Sequence, residues 1–368
     1  MNLSYWERKS WFTNVDFTII GSGIVGLNCA LHIKQKYPKA RVLLLEKGVL
    51  PQGASTKNAG FACFGSLSEI IDDLNNHTEQ EVYNLVRKRW KGLQLLRKTL
   101  GDKIIDFRQY GGYELFRDTT VLNQCLSKKA VINTLLKPIF KKDVFSFQKN
   151  IFGFKNDIDQ YVFNRFEGQL DTGKMMSRLL QLVLNTGVKI LNSTTVKGFE
   201  DVGNHVVVKL DNFEFNTQQL LIATNGFSNQ WIEEDIQPAR AQVLITKPIK
   251  NLHIKGTFHL EKGYYYFRNI DNRILLGGGR NLDFKAEETT EFGMTKLIES
   301  KLEDLLKTTI LPNTTFEIDY GWSGIMGVGQ QKKAIVKKLS SNVACGVRLG
   351  GMGIAIGNLI GEDLAKLV

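Results

Sequence analysis

Three glycines, Gly21, Gly23 and Gly26, stand at G-x-G-x-x-G spacing directly after the apolar run Phe17-Thr18-Ile19-Ile20, and Glu46 closes a second apolar run further on. Gly21 allows a tight turn. Gly23 lets the backbone approach a pyrophosphate with no Cβ in the way, and Gly26 lets the following helix lie close on its strand. Glu46 falls where a dinucleotide fold needs a carboxylate to accept hydrogen bonds from a ribose, and its charge disfavours a 2′-phosphate. The chemistry these residues can do is therefore the binding of a dinucleotide. A second glycine cluster, Gly350-Gly351-Met352-Gly353, follows Arg348-Leu349 near the other end of the chain.

Strands and helices must place these groups. Val15 to Ile20 reads as a buried strand, a helix runs from the glycines to about Tyr37, and Arg41 to Glu46 reads as the next strand. Helical periodicity covers 68–100 and returns over 122–136, ending near Pro138, and Asp171 to Asn185 is an amphipathic helix stopped by Gly187. Val206–Leu210 and Phe213–Phe215 flank Asp211-Asn212 as a hairpin. Gln219 to Gly226 reads as a buried strand whose polar end, Ala223-Thr224-Asn225-Gly226, lies where ligands sit in an open parallel sheet. Strands alternate between 238 and 283, a helix covers 293–307, and Val343–Val347 leads through the second glycine cluster into a terminal helix. Each helix N-terminus offers unpaired N–H groups and a positive dipole end to a polar ligand.

The chain has 368 residues, 43% hydrophobic and 23% charged, which suits a globular protein large enough for two domains. No window is apolar enough for a membrane span, and the N-terminus lacks the apolar core of a signal peptide. The four cysteines, Cys29, Cys63, Cys125 and Cys345, show neither paired nor metal-ligand spacing, so reduced thiols, no metal and a cytoplasmic location are expected. A net charge of +11 is scattered along the chain; it suits a lysine-rich solvated surface, and also a field that steers an anionic substrate or nucleic acid.

Five stretches in this order resemble the FAD-dependent amino-acid oxidase family, the glycine, sarcosine and D-amino-acid oxidase group. They are the first glycine turn with Glu46, the Gly53–Gly60 loop, Ala223-Thr224-Asn225-Gly226, Pro238-Ala239-Arg240-Ala241-Gln242, and Gly350-Gly351-Met352-Gly353. The Asn-Gly pair and the Ser4-Tyr5-Trp6-Glu7 start look most like the gamma-glutamylputrescine oxidase branch. The resemblance implies an α/β fold: a Rossmann-like FAD-binding domain from 1–80, 165–235 and 318–368, interrupted by an α+β substrate domain, 81–164 and 236–317, with a mixed or antiparallel sheet. It places Gly21, Gly23 and Gly26 at the pyrophosphate and Glu46 at the adenosine ribose, with Ser22, Ile24, Val25 and Lys47 as further cofactor contacts. Val196 would hold the adenine by its backbone. Ala54, Ser55, Asn58, Ala59 and Gly60 would lie at the ring and ribityl chain. Ala223, Thr224, Asn225, Gly226, Gly324, Arg348, Gly350, Gly351, Met352, Gly353 and Ile354 complete the expected cofactor contacts.

The implied reaction is oxidation of a C–N bond of an amine or amino acid by hydride transfer to FAD, giving an imine that hydrolyses. Substrate contacts are sought in Tyr264-Tyr265-Tyr266-Phe267-Arg268, one face of which can line a pocket: either Tyr265 and Phe267, or Tyr264, Tyr266 and Arg268. Relatives acting on amino acids usually carry an arginine after a Trp-x-Gly element. Here Ile325, Met326 and Gly327 follow Trp322-Ser323-Gly324, which leaves Arg348 as the candidate for an anion or as a partner for a carboxylate. Cys63 and Cys345 fall in segments expected near the flavin. The electron acceptor, oxygen or a quinone, is open. Two other classes share the implied fold: an oxidase acting on a carboxymethylaminomethyl-type group of tRNA, and a flavoprotein without turnover. Against a nucleic-acid partner, there is no Arg/aromatic tract of an RNA module and no attached methyltransferase domain.

Overall fold

The computed structural model describes residues 2–156 and 158–368. Val15–Ile20 and Val42–Leu45 are almost wholly apolar because a parallel strand buries both faces. They pair in parallel, Phe17 opposite Val42 and Ile20 opposite Leu45. The sheet order runs Ile335–Lys338, Val343–Val347, Glu214–Ile222, Val15–Ile20, Val42–Leu45, Lys189–Leu191. The predicted strands at 213–215 and 219–222 are one strand, Glu214–Ile222. Its first half pairs antiparallel with Val206–Lys209 and its second half parallel with Val15–Ile20, so one strand serves the hairpin and the sheet.

Helix Ile24–Lys36 starts at the carboxyl end of the first strand, and helix Gly353–Ala365 follows the strand Val343–Val347. The two helices lie backbone to backbone. A Cβ at Gly357 would come 2.6 Å from Cγ2 of Ile24, and one at Gly361 would come 2.8 Å from the Val25 carbonyl oxygen. Four-residue spacing puts Gly357 and Gly361 on one helix face, so the close approach is written into Gly357-Asn358-Leu359-Ile360-Gly361. Helix Glu79–Leu100 presses on the other side, where a Cβ at Gly92 would lie 1.9 Å from the Ala355 carbonyl oxygen.

The second sheet has the order Ile318–Val328, Gln237–Thr246, Arg273–Gly278, Tyr265–Ile270, Thr257–Leu260, Gly112–Leu115, Gln160–Asn164, Phe145–Lys149. Its two faces differ, as strand alternation requires. Phe258, Tyr265, Phe267 and Leu276 pack into the core that holds Ile298, Leu302 and Leu305 of the helix Lys296–Leu305. On the opposite face Glu114, His259, Tyr266, Gly277, Val243 and Trp322 stand in one cross-strand row.

Three further expectations shift. The helical stretch 68–100 is two helices, Leu67–Asn76 and Glu79–Leu100, because Thr78 and Glu81 form a capping box that restarts the chain. Pro138 sits within the helix Thr119–Phe140, in the final turns where little ladder remains to be broken, and Lys141 in the left-handed region ends it. Ile318–Val328, grouped by sequence with the cofactor layer, pairs antiparallel along its length with Gln237–Thr246 in the second sheet. Among the described residues no helix is long and apolar enough to cross a membrane.

Candidate functional site

A cavity of about 850 Å³ lies between the two sheets and is walled by both glycine bends. Gly21, Gly23, Ile24 and Val25 come from the first, and Gly350, Gly351, Met352, Gly353, Ile354 and Ala355 from the second. Gly21, Gly350 and Gly351 have φ of 102°, 57° and 80°, the left-handed region that a Cβ disfavours, so these turns need glycine. Among the described residues the N–H groups of Gly23, Val25, Gly351, Gly353 and Ile354 have no protein acceptor. Two helix N-termini thus aim free donors and positive dipole ends into one cavity.

Glu46, 6% exposed, organises the first bend. Its Oε2 accepts from Ser22 N at 3.0 Å and Ser22 Oγ at 2.9 Å, and its Oε1 from Gly48 N at 3.1 Å, while the side chain still borders the cavity. Lys47 holds its ammonium 3.9 Å from the Phe227 ring centroid. Val196 is buried on the wall, and among the described residues its peptide N–H and C=O have no protein partner. A buried peptide group left unpaired is costly, and a hydrogen-bonding ligand edge there would satisfy it. The hydroxyl of Thr224 is likewise buried without a partner on the same wall.

The loop from Gly53 contains a short helix, Ala54–Lys57, and is pinned on both sides. Ser55 Oγ accepts from Ile24 N at 2.9 Å, joining the loop to the first bend. Asn58 Oδ1 accepts from Gly60 N at 2.9 Å and Thr172 Oγ1 at 2.8 Å. Trp322 Nε1 donates to the Lys57 carbonyl at 2.9 Å, and a Cβ on Gly324 would meet Lys57 Cβ at 2.7 Å, which brings the second sheet against this loop. Asn225 Oδ1 accepts from Leu349 N at 3.1 Å and so ties Ala223–Gly226 to the second bend.

Most of the expected cofactor residues therefore meet at this cavity. Ser22, Gly26, Gly60 and Gly226 support it from behind: a Cβ at Gly26 would lie 1.9 Å from the Gly21 carbonyl oxygen, and one at Gly226 2.3 Å from that of Met326.

The substrate candidates separate. Tyr265 is 1% exposed and belongs to the core on the far face, so strand alternation leaves Tyr264 and Tyr266 on the cavity wall. Arg268 shares a face with Tyr266 but ends against Gly60 outside the wall. Burial pushes its guanidinium down to about 10 against the opposing pull of Asp171, Asp271 and Asp106. Arg348 also lies off the wall. Its Nη1 donates to the Asp235 carbonyl at 2.9 Å and its Nη2 to the Lys333 carbonyl at 2.9 Å, with the Asp235 carboxylate at 3.3 Å, so the carboxylate-pairing alternative is the one formed. Burial raises both thiols, Cys63 and Cys345; Cys63 borders the cavity and Cys345 is sealed in the first sheet.

The wall includes residues that the sequence reading passed over: Phe61, Glu69, His259, Lys262 and Arg280. The alternation Thr257-Phe258-His259-Leu260 was the available signal, since it puts His259 on the polar face of a strand. His259 is 6% exposed, with Nε2 2.5 Å from Oε1 of Glu167. Burial alone would depress its titration. The Glu167 charge and hydrogen bond, with Glu69 and Glu114 behind, push it up to about 9.

The family model for FAD dependent oxidoreductases, DAO, matches residues 16–367. The chain belongs to that family. FAD is accordingly its cofactor, and the free amides, the Glu46 carboxylate and the unpaired Val196 peptide fit an elongated dinucleotide with a polar ring. A curated relative, the probable oxidoreductase OrdL of Haemophilus influenzae, is 21% identical and aligns over 96% of this chain and 83% of its own length. The L-proline dehydrogenase of P. horikoshii superposes with a TM-score of 0.75 at 18% identity, covering 96% of this chain and 93% of that one. The glycine oxidase of Geobacillus kaustophilus gives 0.75 at 16%, covering 96% and 94%. At these identities the solved structures establish the shared FAD-binding fold.

Proposed function

We propose that this FAD oxidoreductase oxidises the C–N bond of a small amine or amino acid. One observation carries the reading: the cavity walled by both glycine bends runs without a break past the second bend onto the aromatic face formed by Phe61, Tyr264 and Tyr266. When bound, FAD supplies the hydride acceptor, and the imine product hydrolyses to a carbonyl and an amine. The chain's part is to orient the substrate C–H toward the ring and to keep water out.

Phe61 and Tyr266 meet edge to face at 5.5 Å, which fixes a rigid wall. Burial pushes the Tyr266 hydroxyl up to about 12, so it stays a protonated donor across the physiological range. Gly277 has no side chain where a Cβ would lie 2.7 Å from the Tyr266 ring, and that gap lets the ring lie flat on the sheet. With FAD bound, the free amides at Gly353 and Ile354 would stabilise negative charge on its ring. The two relatives named for proline dehydrogenation and glycine oxidation support the same bond class.

Steady-state turnover of the FAD-loaded protein with a dye acceptor and a panel of amines and amino acids tests this. A carbonyl and an amine should form in equal amounts from at least one substrate class. FAD-loaded protein that yields no carbonyl from any of them would contradict the reading.

A further inference from the structure

The pair His259–Glu167 is built for more than packing. Glu167 Oε1 takes two donors, His259 Nε2 at 2.5 Å and Thr257 Oγ1 at 2.8 Å, and the residue is 1% exposed. His259 Nδ1 has no protein partner among the described residues, yet it is not among the buried unsatisfied atoms, so it opens on the cavity that His259 lines. Phe61 closes on the imidazole edge to face at 5.3 Å. Burying two charged groups costs several kcal/mol per ion even after relaxation, so a bare ion pair is a poor stabilising device here.

We propose that His259, positioned by Glu167, anchors the substrate's carboxylate through Nδ1–H, so that this enzyme prefers carboxylate-bearing amines to plain amines. The proposal rests on the amine-oxidation reading above. The groups facing His259 are Glu167 before the strand Gly168–Gln169, Glu69 on helix Leu67–Asn76, Glu114 on the adjacent strand, Cys63 after the strand Phe61–Ala62, and Tyr266 on the other adjacent strand. With three acids around it, the imidazole carries its proton at neutral pH and both ring nitrogens donate: Nε2 to Glu167, Nδ1 to the cavity. A charge-assisted bond of this kind outweighs a neutral one by enough to discriminate a carboxylate from an amide of the same shape.

The test uses FAD-loaded protein and follows the flavin absorbance during titration with benzoate and with benzamide at pH 7. Benzoate should bind about tenfold or more tighter, the discrimination expected of one charge-assisted bond, and His259→Gln should erase the difference. Glu167→Gln keeps the imidazole but removes the largest of the charges that raise it, so the loss of benzoate binding with rising pH should move down from near 9. This second variant decides the matter if the first fails to hold FAD. Benzoate preference that survives His259→Gln, or a pH break that Glu167→Gln leaves in place, would overturn the assignment. So would loss of the preference in Arg280→Gln, Lys47→Gln or Lys57→Gln alone, since among the described residues these wall cations have no carboxylate within 4 Å, whereas Lys197, Lys262 and Lys332 pair with Asp211, Asp72 and Asp73. Plain amines turned over as well as carboxylate-bearing ones would sink the anchor and leave amine oxidation standing. Benzoate held through His259 with no amine oxidised would do the reverse.

Discussion

Glu46 and His259 show two uses of a buried charge. Glu46 is satisfied by three donors at 2.9–3.1 Å from Ser22 and Gly48, so it shapes the bend before any cofactor arrives. Glu46→Gln turns one oxygen into an N–H₂ that faces these donors. Weakening of FAD binding by about 1.5–3 kcal/mol, roughly tenfold to a hundredfold or more, is expected in a fluorescence-quenching titration. An unchanged affinity would remove Glu46 from the cofactor site. For His259 the proton balance sets the sign. Its pKa is raised on folding, so its contribution to stability is complete below about 6.5 and disappears as pH climbs through about 9. Unfolding in urea at pH 6 and pH 9.5 should show a loss at the higher pH that the His259→Gln variant lacks. These residues were unevenly legible. Glu46 stands at a fixed distance from a glycine motif, whereas Glu167 and His259 are 92 residues apart and meet only through sheet pairing.

At the scale of elements, the site depends on how closely three helices approach. Gly→Ala in a helix normally gains about 1 kcal/mol from propensity. At Gly92 the new Cβ would lie 1.9 Å from the Ala355 carbonyl oxygen, a backbone atom that cannot rotate away. Overpacking of this kind typically costs about 1–3 kcal/mol, which exceeds the propensity gain. Gly92→Ala should therefore lower the thermal midpoint and weaken FAD binding together, because Ala355 lies in the first turn of the helix that faces the cofactor. A midpoint that rises would mean the helices are looser than described. The strand–glycine–helix units were readable since each is local in sequence. The break between Asn76 and Glu79 and the dual pairing of Glu214–Ile222 were less so, since continuous periodicity hides a cap and a strand's partners lie elsewhere in the chain.

At the scale of the molecule, one cavity lies between two sheets that the chain visits alternately. The first sheet draws on residues 15–45, 189–222 and 335–347, and the second on 112–164, 237–278 and 318–328. Binding to the native state alone adds RT ln(1 + [L]/Kd), about 2.7 kcal/mol at a hundredfold excess over Kd. Stripping FAD should thus lower the unfolding midpoint and expose the segments around Gly21 and Gly351 to protease together. Cleavage at one bend only would argue against a shared ligand. The first layer was legible from the two glycine clusters, each of which directly follows a strand of the first sheet. The aromatic strand's inward face was not, because Tyr264–Arg268 alternates in a way that suits either side until its neighbours are known.

Anaerobic rapid mixing of the FAD-loaded protein with an amino acid and with its α-deuterated form tests the account most directly. The flavin's visible absorbance should bleach in a single phase, and the deuterated substrate should bleach it several-fold more slowly, since the C–H bond breaks in that step. Absorbance that stays unchanged with every amine and amino acid, in protein that holds its FAD, would contradict it.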